Sequence, residues 1–318
     1  PLPVSVTAAR GFLSAHKEKR PMDITPSTMR GLYTAISTAF NAQLGSTTTH
    51  YQTVAMTVPS TTAANEYPRM DDLPGIREWI GDRIVHDLSM QTYTIRNKEF
   101  EGTIGVRISQ VEDDQLGFLS SMAAQLGQNA AQFPDQLVFP LLKNGETTKC
   151  YDGQNFFDTD HPGYDEEGKE TSVSNFAAGS SPAWYLVDDS QVIKPIIYQS
   201  RKSFQLIRKD QATDDTVFFG GKAVYGVDGR CNAGYGLWQL IYKSKLPLNA
   251  ENYAAARAAM TSIRKRNGEV ISINPRKLLV PSTLEGAARK LLLNEMAANN
   301  ESNEWKGTAE PVVIPLLA

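Results

Sequence analysis

The densest gathering of groups able to do chemistry lies in DGQNFFDTDHPGYDEEGKE, where Asp158, Asp160, His161, Asp165, Glu166 and Glu167 crowd into residues 158–167. Carboxylates beside an imidazole can hold a hard divalent cation, and such a cation can activate a water for hydrolysis. The spacing fits no established loop: an EF-hand needs alternating ligands, then a glycine, then a closing glutamate. The competing reading is a solvated loop held by Asx turns, with Pro162 and Gly163 as turn residues. A metal-dependent hydrolase or binding protein using 158–167 is the alternative function that this stretch supports.

Other chemistry is thinly represented. The four histidines, His16, His50, His86 and His161, show no metal or triad spacing with one another, and neither G-x-S-x-G nor HExxH occurs. A Ser/His/Asp triad assembles in space, so residue order leaves that question to the fold. The glycine-rich run GGKAVYGVDGRCNAGYG lacks the Lys-Ser/Thr ending of a P-loop, and its glycines are expected at turns and close strand contacts. Cys150 and Cys231 form no CxxC pair and are expected as reduced thiols, with a disulfide between them as the alternative. No catalytic, cofactor-binding or metal-ligating residue and no cofactor is assigned.

A chain of 318 residues, 41% hydrophobic and 21% charged, can bury a sizeable core in one elaborated domain or two. No apolar run is long enough for a membrane span. No signal peptide opens the chain, and Pro1 is expected to follow a trimmed initiator methionine, which points to a cytoplasmic product. The net charge of −3 and dispersed basic residues argue against a DNA-gripping protein, so any nucleic-acid contact is expected to be weak and non-specific.

The elements are organised around residues 80–145. Phe100, Gly102, Ile104, Val106 and Ile108 alternate with polar or small residues, the period of a half-buried strand. From Leu116 the period changes: Leu119, Met122, Ala123, Leu126, Ala130, Phe133, Leu137 and Leu141 make one helical stripe to about 142. Pro134 inside it predicts a kink, or a restart with Pro134 as the first helical residue and Asp135 in its first turn. Upstream, 1–24 reads as a marginal arm with the charged run HKEKR. Thr25 and Pro26 open a helix over 26–44 closed by Gly45, and YQTVAMTVPSTT reads as a short strand. Between them and the long helix, a helical turn over 74–80 precedes a hairpin with a polar tip near 89–92. Such a hairpin is marginal alone and needs a partner surface.

Downstream, 183–247 holds several short strands, with Gly220-Gly221 as a hairpin turn. Residues 249–318 read as a compact α/β unit. Asn249 caps a helix that RKRNG closes, INPRKLLVP is a strand, Ser282 to Glu285 a capping box, and EPVVIPLLA a last short strand.

The strings FEGTIGV, VEDDQLG, PDQLVFPLLKNG and CYDGQNFFDTDHP, in this order and spacing, resemble the major head subunit of Mu-like phages and prophages. REWIGDR and YTIRNKEFEG before them and GYGLWQ and LLVPSTLEGAARKLL after extend the likeness over about 51–317. None is a catalytic signature. The resemblance implies no enzyme activity and an α+β, Hong Kong 97-type major capsid fold. Its parts would be an N-terminal arm with the first helix (1–65), an extended-loop hairpin (66–108), a peripheral domain with a spine helix near 116–142 (109–248) and an axial domain (249–318). One departure is that the axial helices follow the strand pairs of 183–247, whereas many such capsids place them before. The resemblance further implies self-assembly as hexamers and pentamers into an icosahedral shell around double-stranded DNA, in the virion after assembly in host cytoplasm. The implied partners are other copies, portal, scaffold or protease, and decoration proteins, with no membrane. Each copy is expected to bury more than about 2,000 Å² against its neighbours. At the hairpin, Trp79, Met90, Tyr93 and Phe100 are expected to anchor on a neighbour, because exposed rings at a marginal hairpin need a partner.

Overall fold

The computed structural model describes residues 25–68, 92–113, 117–297 and 301–318. The expected arm over 1–24, the helical turn over 74–80 and the hairpin tip near 89–92 lie outside them.

Helix α1 (Pro26–Ser46) starts as expected: the Thr25 hydroxyl accepts from the Thr28 amide in a capping box, and Pro26 occupies the first turn. Met29, Ile36 and Phe40 bury its inner face. Strand β1 (Ala55–Pro59) follows a single 3-10 turn, and β2 (Ala64–Pro68) pairs antiparallel with β3 (Thr92–Arg96). The expected hairpin partner of the 92–96 segment, in the residues just before the tip, lies outside the described residues; within them β3 pairs with β2, which the sequence did not suggest. Ile95 decides the placement, because it is buried and held by the Gln199 amide, which donates to its carbonyl at 3.2 Å.

Strand β4 (Lys98–Arg107) shows the predicted alternation, with Phe100, Gly102, Ile104 and Val106 inward and Glu101, Thr103, Gly105 and Arg107 exposed. A short α2 (Ile108–Glu112) leads to the long helix α3 (Phe118–Lys143). That helix starts after Gly117, in the left-handed region at φ 68°, rather than at Leu116. It runs unbroken through Pro134 and Pro140, which corrects the predicted restart. The amide hydrogen bonds that the two prolines cannot make are offset by burial on both sides and by Asp135, whose carboxylate accepts from the His50 and Tyr51 amides at 3.1 and 2.7 Å.

Strands β5 (His161–Tyr164) and β6 (Glu170–Val173) form a small ribbon, followed by β7 (Phe176–Ala177) and β8 (Trp184–Val187). Strand β9 (Ile196–Lys209) is one long strand where the sequence suggested two, and α4 (Asp215–Phe218) is a helical turn where DTVF suggested a strand. Gly220-Gly221 is therefore the exit of a longer connection into β10 (Lys222–Tyr235), not a two-residue turn. Strand β11 (Ile241–Ser244), α5 (Ala250–Thr261), β12 (Lys277–Val280), α6 (Glu285–Leu293) and β13 (Glu310–Val313) complete the chain. Asn249 caps α5 by accepting from the Asn252 amide at 2.8 Å. The helix ends at Thr261, so RKRNG forms a separate turn. Ser282 makes no cap: a 3-10 turn precedes α6.

Two sheets organise the whole. One has the order β1-β9-β10-β4, the other β13-β12-β8-β11-β7. The second draws strands from 176–187 and 241–244 as well as from 249–318. Two hydrophobic cores result, and α3 enters both. Leu119, Ala123 and Ala130 join the core beneath α1 and β4, while Val138, Phe139 and Leu142 join the larger core around Trp184 and Trp238. Full burial of Phe139 or Leu142 contributes about 2–3 kcal/mol each.

Candidate functional site

The carboxylates of 158–167 do not converge. Asp165 accepts from the Glu167 and Lys169 amides at 3.1 and 2.8 Å, and Asp158 accepts from the Asn155 and Thr159 amides at 3.3 and 2.8 Å. The Asp165–Glu167 bond is an Asx turn, and the others tie each carboxylate to the backbone beside it. Glu166 pairs with Arg264. The exposed Asp160 carboxyl is pushed above its usual range by its bond to Asp158 and that neighbour's charge. Burial tends to raise Asp158, but the Thr159 amide and other donors outweigh it and hold it low.

His161 turns the other way. It is fully buried, its ring lies parallel to Trp238 with centroids 4.0 Å apart, and its Nδ1 sits 2.7 Å from Asp152 Oδ2. The Cys150 thiol donates to Asp152 Oδ1 at 2.9 Å. Burial tends to raise the Asp152 carboxyl, yet the bonds from His161 and Cys150 leave it below its usual range. Burial, with the Asp152 charge behind it, pushes the Cys150 thiol well up. Sequence reasoning missed this pairing because Cys150 and Asp152 lie in a separate turn, closed by a bridge between Lys149 and Asn155. Both cysteines are free, so the disulfide alternative is not realised.

The predicted hairpin anchors divide. Trp79 and Met90 lie outside the described residues. Phe100 packs tilted against Phe133, with ring centroids 4.6 Å apart, and the Tyr93 hydroxyl accepts from the Tyr235 amide at 3.2 Å. Both rings are half-buried against their own chain.

The exposed aromatics lie elsewhere. Phe218 and Phe219, 73% and 81% exposed, form an edge-to-face pair 5.0 Å apart at the end of the β9–β10 ribbon. A cavity of about 340 Å³ beside them is lined by Met29, Arg30, Ile108, Arg208, Asp210 and Val217. The sequence signal was available in DTVFFGG, but strand propensity absorbed it.

A long helix entering two cores, a broad sheet and an unsupported aromatic tip describe a shell-building subunit, and the fold is the Hong Kong 97-type major capsid fold. The family model of the Mu-like prophage major head subunit gpT matches residues 29–317. The major capsid protein of Escherichia phage Mu is 36% identical over 305 residues, covering 93% of this chain and 100% of that one. Among solved structures, the procapsid of bacteriophage JBD30 superposes with a TM-score of 0.80 at 39% identity, over 91% of this chain and 99% of that one. The JBD30 capsid decorated with minor capsid protein trimers gives 0.73 at 29% identity, over 93% and 99%. The chain belongs to the Mu-like prophage major head subunit family. Its function is that of a major capsid protein, and neither the family nor the dispersed carboxylates of 158–167 support the hydrolase alternative.

Proposed function

We propose that copies of this subunit associate as hexamers and pentamers and close an icosahedral shell around double-stranded DNA. The observation that carries this reading is the exposed Phe218–Phe219 pair, since among the described residues every other aromatic ring except Phe118 is buried or half-buried. Two adjacent rings in water favour an apolar surface, and a second copy supplies one repeatedly in a shell. The hairpin rooted in β2 and β3 is the second contact, with Trp79 and Met90 as its anchors. Tyr93 and Phe100 serve there as the base that holds the hairpin to its own subunit.

Residues 1–65 act as arm and first helix, 66–108 as extended loop, 109–248 as peripheral domain and 249–318 as the helical part of the axial domain. Portal, scaffold or protease act during assembly in host cytoplasm, and decoration proteins bind the finished shell. The decorated JBD30 capsid supports the last point. With a net charge of −3, contact with packaged DNA is weak and non-specific.

The test is a double variant, Phe218→Ala with Phe219→Ala, produced with the other head proteins of its phage. Interface aromatics contribute about 1–2 kcal/mol each, so shell yield should fall roughly tenfold or more while the soluble subunit stays folded. Full shell yield from the double variant would refute this contact.

A further inference from the structure

Among the described residues one cluster brings three metal-ligating side chains together. Cys150 Sγ, an Asp152 carboxylate oxygen and a His161 ring nitrogen all lie within 4.8 Å of one another. The cluster is dry: side-chain exposure is 0% at His161 and 1% at Asp152, and Cys150 is buried. Two separate pieces of chain meet there, the turn over 149–155 and the first residue of β5.

Hydrogen bonding alone gives an incomplete account of this burial. Among the described residues no lysine or arginine pairs with Asp152. The buried carboxylate faces only a thiol, an imidazole and the Gln154 amide. A histidine buried for structure normally uses both ring nitrogens. Here Nε2 has no partner among the described residues, and the ring is committed through Nδ1 and its stack on Trp238. An ion among the sulfur, the carboxylate and Nδ1 would supply the positive charge that this buried carboxylate lacks, while Nε2 keeps no partner among the described residues in either state.

We propose that Cys150, Asp152 and His161 hold a divalent transition-metal ion, zinc by their donor set, which staples the 149–155 turn to β5 beneath Trp238. On binding, the thiol proton leaves to solvent, and the imidazole stays neutral by exchanging its Nδ1 proton for one on Nε2, which frees Nδ1 for the ion. Thiolate and carboxylate then carry two negative charges, which the ion balances. Sulfur, nitrogen and a single carboxylate suit zinc and disfavour calcium or magnesium, which prefer all-oxygen shells. Bonds of about 2.0–2.3 Å to a common centre set ligand atoms roughly 3–4 Å apart, so only small side-chain shifts separate the proton-bridged set from the metal-bound one. The Asn155 carbonyl, 4.0 Å from the sulfur, stands nearby for the fourth position. The ion is structural, at the foot of α3, and the proposal stands apart from how subunits meet.

The test uses the purified full-length chain, dialysed with zinc and then freed of loose metal. About one zinc per chain is expected, with a higher melting temperature than the chelated protein, and both effects should vanish in Cys150→Ser and His161→Gln. Less than about a tenth of a zinc per folded wild-type chain, or full binding in both variants, would overturn the proposal. If a variant fails to fold, cobalt on the wild-type chain decides. A thiolate-to-cobalt charge-transfer band in the near ultraviolet supports Cys150 as a ligand, and its absence rejects it.

Discussion

Gly127 of α3 lies against the carbonyl of Phe40 in α1 so closely that a Cβ at position 127 would stand 2.4 Å from that oxygen. This contact sets how tightly the first helix can lie along the long one. Gly127→Ala is therefore expected to destabilise the subunit by about 1–3 kcal/mol, as overpacking does. Gly31 on the exposed side of α1 has nothing within 4 Å of its Cβ position. Gly31→Ala should instead stabilise by about 0.5–1 kcal/mol. Urea denaturation of the two variants checks the opposite signs.

Glu146, just beyond α3, bonds to the ammonium of Lys243 at 2.7 Å, and Lys243 is itself almost fully buried. Burial tends to raise the Glu146 carboxyl, but Lys243 and then Lys245 outweigh it and hold it below its usual value. A carboxyl held low contributes stability that is full above its unfolded value near 4.5 and lost as pH falls through the folded value. Glu146→Gln leaves a buried ammonium without its counter-ion and should cost about 2–3 kcal/mol at neutral pH. The gap to wild type should narrow as pH drops below 4.5, which melting curves from pH 7 to 3 would register.

Phe100 and Trp79 are expected to fail differently. Phe100 packs on Phe133, which in turn meets Phe204 at 5.4 Å. Phe100→Ala should lower subunit stability by about 2–3 kcal/mol. Trp79→Ala should leave subunit melting within about 0.5 kcal/mol of wild type and reduce assembly. Calorimetry of the free subunit beside sedimentation of assembly products separates the two; a Phe100 variant with unchanged melting would contradict the packing role.

Asp135 joins α3 to the 50–53 turn through two amides. Asp135→Ala leaves those donors inside without an acceptor and should cost about 1–3 kcal/mol. Faster hydrogen exchange at the His50 and Tyr51 amides is the local signature to measure.

What could be read before the fold was known was what periodicity carries. The stripes of α1 and α3 and the alternation of β4 each bury one face of a regular element, so hydrophobic spacing reports them directly. The length of α3 was legible from its stripe, but its unbroken passage through Pro134 was not, because the compensation comes from His50 and Tyr51, far away in sequence. The partner of β3 was equally hidden, since Ile95 is placed by Gln199. The 158–167 carboxylates looked like a site because they are adjacent. The cluster that does form depends on Cys150 and Asp152 folding back onto His161, a tertiary contact with no local period. Phe218 and Phe219 were visible as residues but not as exposed ones, because exposure depends on the helical turn that lifts them off the ribbon.

The most direct test of the central claim is electron microscopy of the chain produced together with the other head proteins of its own phage. Closed icosahedral shells with hexameric and pentameric units are the expected result. A folded subunit that stays strictly monomeric under those conditions would contradict it.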